Sequence, residues 1–373
     1  MKRRVQFLAL LLTLTFFAAA NGEVFAQTAD PEKSNNAGSQ SRSFSFAVSG
    51  DSRNCGDVVM PAIAARVKQS GASFYWHLGD FRAIYNFDED IQHQPEHLAR
   101  PIVISDYEQL AWDDFLQNQI APFGRLMVFL GIGNHETIPP KTRDQYIIQF
   151  ADWLEQQPLR KQRLLDDSND HKLRTYYHWT VAGVDFINLD NATEDQFDSN
   201  QLTWFEKILQ ADSSKPQIKT VVVGMHEALP ESISKGHSMN QSAAGSESGR
   251  RVYADLLKAQ NDAHKHVYVL ASHSHYFMDG IFDTDYWRAN GGVLPGWIVG
   301  TAGAVRYALP SDSSNARAAE TNVYGFLLGT ANPDGEISLA FQHVNEPDVP
   351  ASVVERYKSE FVHWCFDKNS QAK

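Results

Sequence analysis

Five short apolar, β-branched or aromatic runs punctuate the chain: Phe44 to Val48, Phe74 to Leu78, Leu126 to Ile132, Thr220 to Val223 and His266 to Leu270. Runs of this length bounded by Gly, Asp and Ser predict buried strands. Helix-like stretches separate them, at Asp57 to Gln69, Tyr107 to Ile120, Arg143 to Gln156, Gln201 to Gln210 and Gly249 to Ala263. The alternation predicts an α/β layered domain over residues 44–345. Further strands are expected at Trp297 to Thr301, Gly325 to Thr330 and Ile337 to Gln342, with Asn332-Pro333-Asp334-Gly335 turning the last two into a hairpin. Residues from about Glu227 to Arg250, rich in Ser, Gly and Ala, read as a mobile loop. Residues 346–373 read as a tail whose Trp364 and Cys365 predict packing on the body.

The residues directly after the runs add chemistry to this pattern. Gly50-Asp51-Ser52-Arg53, Gly79-Asp80, Gly133-Asn134-His135-Glu136, Met225-His226-Glu227 and Ser272-His273-Ser274-His275 each carry residues that ligate metals. Strand ends of an open α/β sheet share one rim, so these residues are expected to converge in one cleft. Two cations about 3.5–4 Å apart need a shared anionic bridge and separate ligands. Asp80 is the natural bridge; Asn134, His226 and His273 complete one ion's set, and Asp51 and His275 serve the other. Taken alone, Asp51 and Asp80 would read as carboxylates capping a turn. The cluster favours metal over that reading. His135, one residue out of phase with Asn134, is expected to face substrate, binding the phosphoryl group or protonating the leaving oxygen. Arg53 and Arg82, each two residues after a motif Asp, are candidates for binding phosphate oxygens bidentately. Glu136 and Glu227 are expected to orient ligands, and His77 is expected to be a satisfied core histidine.

In this order the segments resemble the signature of the calcineurin-like metallophosphoesterases, including their purple acid phosphatase branch. Gly133-Asn134-His135-Glu136 is the most specific piece. The resemblance covers about Phe44 to His343 and implies a four-layer α/β/β/α sandwich, two mixed β-sheets flanked by helices. It also implies a dinuclear centre of Fe, Zn or Mn ions, and hydrolysis of a small phosphate ester by attack of metal-bound hydroxide. Monoester and diester are equally open.

The chain departs from that pattern at the first ion. Many members carry Asp-x-His where this chain has Asp51-Ser52-Arg53, and a guanidinium cannot ligate metal. The purple acid branch carries a Tyr three residues after the second-motif Asp; here that position is Ala83. Asp51, Asp80 and His275 remain, with Tyr85, Asn54 or Cys55 as nearby candidates for a fourth ligand, so a weaker first site is expected. Ser272 stands where Gly is usual. A one-metal enzyme, or a binding protein that kept the fold without turnover, are therefore rival readings.

Composition narrows the setting. Lys2, Arg3 and Arg4 precede an apolar run from Val5 to Ala20, and Val24-Phe25-Ala26 supplies small residues for cleavage, the pattern of a signal peptide over residues 1–26. The run is shorter than the roughly 20 residues of a spanning helix, so no stable membrane anchor is expected after cleavage. A flexible leader over residues 27–43 and a secreted or periplasmic protein are the corresponding expectations. The formal charge of −12 argues against nucleic acid as a partner. Cys55 and Cys365 are compatible with a disulfide or with two independent thiols.

Overall fold

Successive residues of the central strands enter different cores, which is how one short run can be buried on both faces. The computed structural model describes residues 43–192 and 196–371. The expected signal segment and all but the last residue of the leader lie outside the described residues.

Twelve strands occur among the described residues: β1 (Phe44–Ser49), β2 (Phe74–His77), β3 (Met127–Leu130), β4 (Tyr177–Val181), β5 (Val184–Asn188), β6 (Thr220–Gly224), β7 (His266–Ala271), β8 (Phe277–Asp279), β9 (Gly296–Val299), β10 (Ala318–Glu320), β11 (Tyr324–Ala331) and β12 (Ile337–Val344). They form a five-stranded sheet in the order β12-β11-β1-β2-β3 and a seven-stranded sheet in the order β10-β8-β9-β7-β6-β5-β4. Both are mixed: β1, β2 and β3 run parallel, as do β5, β6, β7 and β9, while the outer strands pair antiparallel.

Phe46, Val48, Phe74, Trp76 and Phe129 point between the sheets, where they meet Trp179, Phe186, Val222, Tyr268 and Leu270. Burying each such ring or branched chain stabilises the fold by roughly 1.5–3 kcal/mol. Their neighbours Ala47, Tyr75, Val128 and Leu130 turn outward onto Val58, Ile63 and Val67 of the helix Gly56–Ser70. On the other side Val221, Val223, Val267 and Val269 meet Phe205 and Leu209 of the helix Ser199–Ser214 and Val252 and Leu256 of the helix Ala243–Asn261. The result is the expected four-layer sandwich.

The structure adds to or departs from the pattern in three segments. The segment after Glu227 is a packed wall: Ala228, Leu229, Ile233 and Met239 are buried and the helix begins at Ala243. The reason is fit, since a side chain on Gly249 would strike Pro230. The hairpin β4–β5 falls where no strand was expected. Residues after 345 form the helices Ala351–Tyr357 and Ser359–Asp367, whose Tyr357, Phe361 and Val362 belong to the same core as the helix Gly56–Ser70. A Cys55–Cys365 disulfide, with Cα atoms 5.9 Å apart, ties the last helix to the loop before that one.

Candidate metal centre

The strands β1, β2, β3, β6 and β7 deliver their following loops to one rim. Asp51, Asp80 and His273 all adopt φ near +60°, a conformation that costs a non-glycine residue roughly 1 kcal/mol or more and that clusters where function needs it. Close approach of the loops fixes the glycines between them. A Cβ on Gly79 would collide with the Gly133 nitrogen, and one on Gly133 would strike the Asp80 carboxylate. Glu136 staples the same two loops by accepting from the backbone N–H groups of Asp80 (2.8 Å), Phe81 (2.9 Å) and Gly133 (2.8 Å). Burial and the nearby Asp80 push this carboxyl up to about 8.

On one half of the cleft, four candidate ligand atoms converge. His226 donates Nδ1–H to the Leu78 carbonyl at 3.0 Å, which turns its Nε2 into the cleft. That Nε2 lies 3.0 Å from Asn134 Oδ1, 3.0 Å from His273 Nδ1 and 3.3 Å from Asp80 Oδ1. His273 Nε2 faces Glu227 Oε1 at 3.5 Å, leaving its Nδ1 to point inward. Ligand atoms of Asp80, His226 and His273 fall within 4.8 Å of one another. Burial favours neutral His226, yet the Asp80 and Asp51 carboxylates prevail and raise it to about 10, so a cation binding at Nε2 would have to displace a proton. Burial and His226 push His273 well below the usual imidazole range. Two imidazole nitrogens, an amide oxygen and a carboxylate oxygen at these separations call for a cation among them, and the donor set suits a transition metal.

The other half differs. Asp51 Oδ2 is capped by the Ser272 hydroxyl and, at 2.7 Å, by the His273 N–H, so the Ser departing from the pattern binds a site carboxylate. Asp51 Oδ1 stands 3.2 Å from His275 Nε2, and His275 donates Nδ1–H to the Val305 carbonyl at 2.7 Å. The Arg53 guanidinium is inserted here: Nη2 reaches His275 Nε2 at 2.9 Å, Nη1 reaches His135 Nε2, and Nε lies 3.6 Å from Asp80 Oδ2. His135 donates Nδ1–H to the Ala83 carbonyl at 2.7 Å, so its Nε2 lone pair also faces the guanidinium. Burial, aided by Arg53, lowers His135 to about 4 against the pull of Asp80. Burial opposes ionisation of Asp51 and Asp80, but His275 beside the first and His135 and His226 beside the second hold both well below the usual carboxylate range. Asp51, Asp80 and His275 do meet as expected, yet a permanent cation already stands among them, so this half does not fit an ion as it stands.

All six expected metal residues and His135 therefore share the cleft with Arg53. Arg82 does not join them. Its guanidinium is buried, with Nη1 and Nη2 held by the carboxylates of Asp57, Asp90 (2.7 Å) and Asp114 (2.7 Å), so it is shut away from the cleft. None of the nearby candidates supplies a fourth ligand to the first position. Cys55 is in the disulfide, Asn54 binds Glu89 and the Val305 N–H, and the Tyr85 ring stands beside His135. His77 is the satisfied core residue expected, accepting from the Gly79 N–H at 3.2 Å and reaching Ser52 Oγ at 3.0 Å. His237 and Tyr307 line the cleft without any motif to announce them. Tyr307 stacks on His275 at 4.0 Å, and His237 lies 5.3 Å from both Tyr307 and His273.

No protein-family model and no curated protein matches the chain. Among solved structures, the chain is similar to the purple acid phosphatase PPD1 from yellow lupin (Lupinus luteus) seeds, at 14% identity and a TM-score of 0.56 over 83% of this chain and 53% of that one. It thus spans about half the length of the lupin protein. A dimetal phosphatase from Danio rerio aligns at 11% identity and a TM-score of 0.49 over 81% of this chain and 96% of that one. PhoD aligns at 14% identity and a TM-score of 0.49, over 81% of this chain and 72% of that one. With the two mixed sheets and the lupin similarity together, the chain has the fold of the calcineurin-like metallophosphoesterases.

Proposed function

We propose that this protein is an exported, metal-dependent phosphohydrolase acting on a small phosphate ester. The observation that carries the reading is the convergence of His226 Nε2, His273 Nδ1, Asn134 Oδ1 and Asp80 Oδ1, oriented inward by the carbonyl of Leu78 and by Glu227. These four residues would hold an Fe, Zn or Mn ion. Such an ion supplies Lewis-acid polarisation of a phosphoryl oxygen and acidifies water.

The remaining work falls to the chain's own groups. Glu136 fixes the backbones of Asp80 and Gly133, and with them the separation of the ligands. Arg53 presents a cation held by His275 and His135, placed to receive phosphoryl oxygens. His135, its ring fixed by the Ala83 carbonyl, is assigned to the substrate side, where its doubly protonated form would hydrogen-bond the phosphoryl group or pass the Nε2 proton to the leaving oxygen. The acidic charge favours small esters over nucleic acid, because the polyanion is repelled while a single phosphate meets only the local cations.

Export is supported by the basic, apolar and small-residue pattern of residues 1–26 and by the Cys55–Cys365 disulfide, a bond that persists in oxidising compartments. No helix among the described residues is long and apolar enough to cross a membrane.

The test is hydrolysis of p-nitrophenyl phosphate and bis-p-nitrophenyl phosphate by full chain stripped with chelator and resupplied with Mn, Zn or Fe. Turnover of at least one ester that disappears with chelator and returns with metal is expected. Bound metal without hydrolysis of either ester would favour a binding protein on this fold and defeat the enzymatic reading.

A further inference from the structure

The two halves of the cleft are built for different occupants. On the half formed by Asp80, Asn134, His226 and His273, candidate ligand atoms face one another. On the half formed by Asp51, Asp80 and His275, the acceptors face a guanidinium. We propose that Arg53 takes the place and the charge of one ion, so that the centre binds a single metal beside a covalently supplied cation. The inference rests on the metal reading above and goes beyond it in fixing the stoichiometry.

Four observations support it. Arg53 is only 6% exposed, so the guanidinium is part of the wall and not a surface side chain resting over the cleft. Its two Nη groups lie against His275 Nε2 and His135 Nε2, the ring nitrogens left facing the cleft once each Nδ1 is turned to a backbone carbonyl. Asp51 has one oxygen capped by Ser272 and His273 and turns the other towards His275 Nε2 at 3.2 Å, while Asp80 Oδ2 has no hydrogen-bond partner among the described residues. Those two oxygens supply the negative charge that retains a cation. The Arg53 Nε likewise has no hydrogen-bond partner among the described residues and lies 3.6 Å from Asp80 Oδ2, an ion pair held by charge more than by direction.

An ion entering this half would lie against the guanidinium, and the like charges would repel at close range in a buried setting. The guanidinium also differs from an ion in kind. It offers fixed N–H donors to phosphoryl oxygens, but no coordination position that a water molecule can enter. Charge neutralisation and water activation, which two ions would share, are thereby divided between Arg53 and the single metal position.

The experiment counts ions. Full chain stripped of metal is titrated with Mn or Zn alone, desalted and analysed for metal per chain, alongside Arg53→His. One ion per chain is expected for the native protein and a second for Arg53→His, whose imidazole removes the cation and adds a ligand. Two ions in the native protein would overturn the proposal while leaving the phosphohydrolase reading intact. One ion in both proteins would show that something other than Arg53 closes the position, and would overturn it as well. No ion in either would instead defeat the metal reading itself. If Arg53→His does not fold, the native count alone decides.

Discussion

Arg53 and Arg82 occupy equivalent positions in sequence, each two residues after an aspartate with φ of 60°, and both are buried. Their surroundings have opposite character. Arg82 is enclosed by Asp57, Asp90 and Asp114, with Asp88 at 4.0 Å, and further donors from Gln94, Gln119, Tyr107 and Tyr357 satisfy the surplus carboxylate oxygens. Negative charge exceeds positive there, and burial and the neighbouring Asp57 push Asp114 up to about 6. Around Arg53 the partners are two imidazole nitrogens and the Asp80 carboxylate, whose Oδ2 has no hydrogen-bond partner among the described residues. A buried charge is a structural strut when its partners are saturated, and a functional one when they retain unused valence.

The largest expected effect is at the residue common to both halves of the cleft. Asp80→Asn removes the shared anion, and metal bound by the stripped and resupplied protein should fall to background together with turnover; retention of the native metal content would break the account of Asp80. Next, Arg82→Met leaves buried carboxylates without their cation and should lower unfolding stability by about 3–5 kcal/mol in urea titrations. A loss under about 1 kcal/mol would erase the contrast between the two arginines. His135→Ala should depress turnover by about two to four orders of magnitude, the range for lost proton transfer. Its metal content should stay unchanged, and an emptied site would reassign His135 as a ligand.

A third buried cation makes the comparison depend on pH. His178 lies 2.8 Å from Asp185 and 2.6 Å from Asp166. Burial opposes its charge, but the two carboxylates prevail and raise it to about 10. A raised folded value means the stabilisation is complete below the unfolded imidazole value near 6.5 and is lost as pH climbs towards 10. Asp212, pushed up to about 8 by burial and Asp185, titrates in the same window, so the native protein must be compared with His178→Gln. Their difference in melting temperature should be greatest at pH 6 and shrink by pH 10; a constant difference would remove His178 from the titrating groups.

Much of the fold and site is legible in the sequence because it depends on local pattern. Runs such as Phe74 to Leu78 carry alternating residues for two cores, and the ligand residues come directly after them. The features that sequence leaves hidden depend on partners distant along the chain. Nothing near Arg82 distinguishes it from Arg53, since the carboxylates that claim it come from residues 57, 90 and 114. The Cys55–Cys365 pairing spans 310 residues. The β4–β5 hairpin is hidden because the buried pair His178–Asp185 places polar residues where a strand pattern would have apolar ones. Tyr307 and His237 reach the cleft on irregular segments with no periodicity to read.

The most direct test of the division between the two halves is an anomalous difference map from crystals of the full chain grown with Mn and inorganic phosphate. The account predicts one peak, ligated by Asp80, Asn134, His226 and His273, with the Arg53 guanidinium still between His275 and His135 and in contact with the phosphate. A second peak bounded by Asp51, Asp80 and His275, with Arg53 displaced from the cleft, would contradict it.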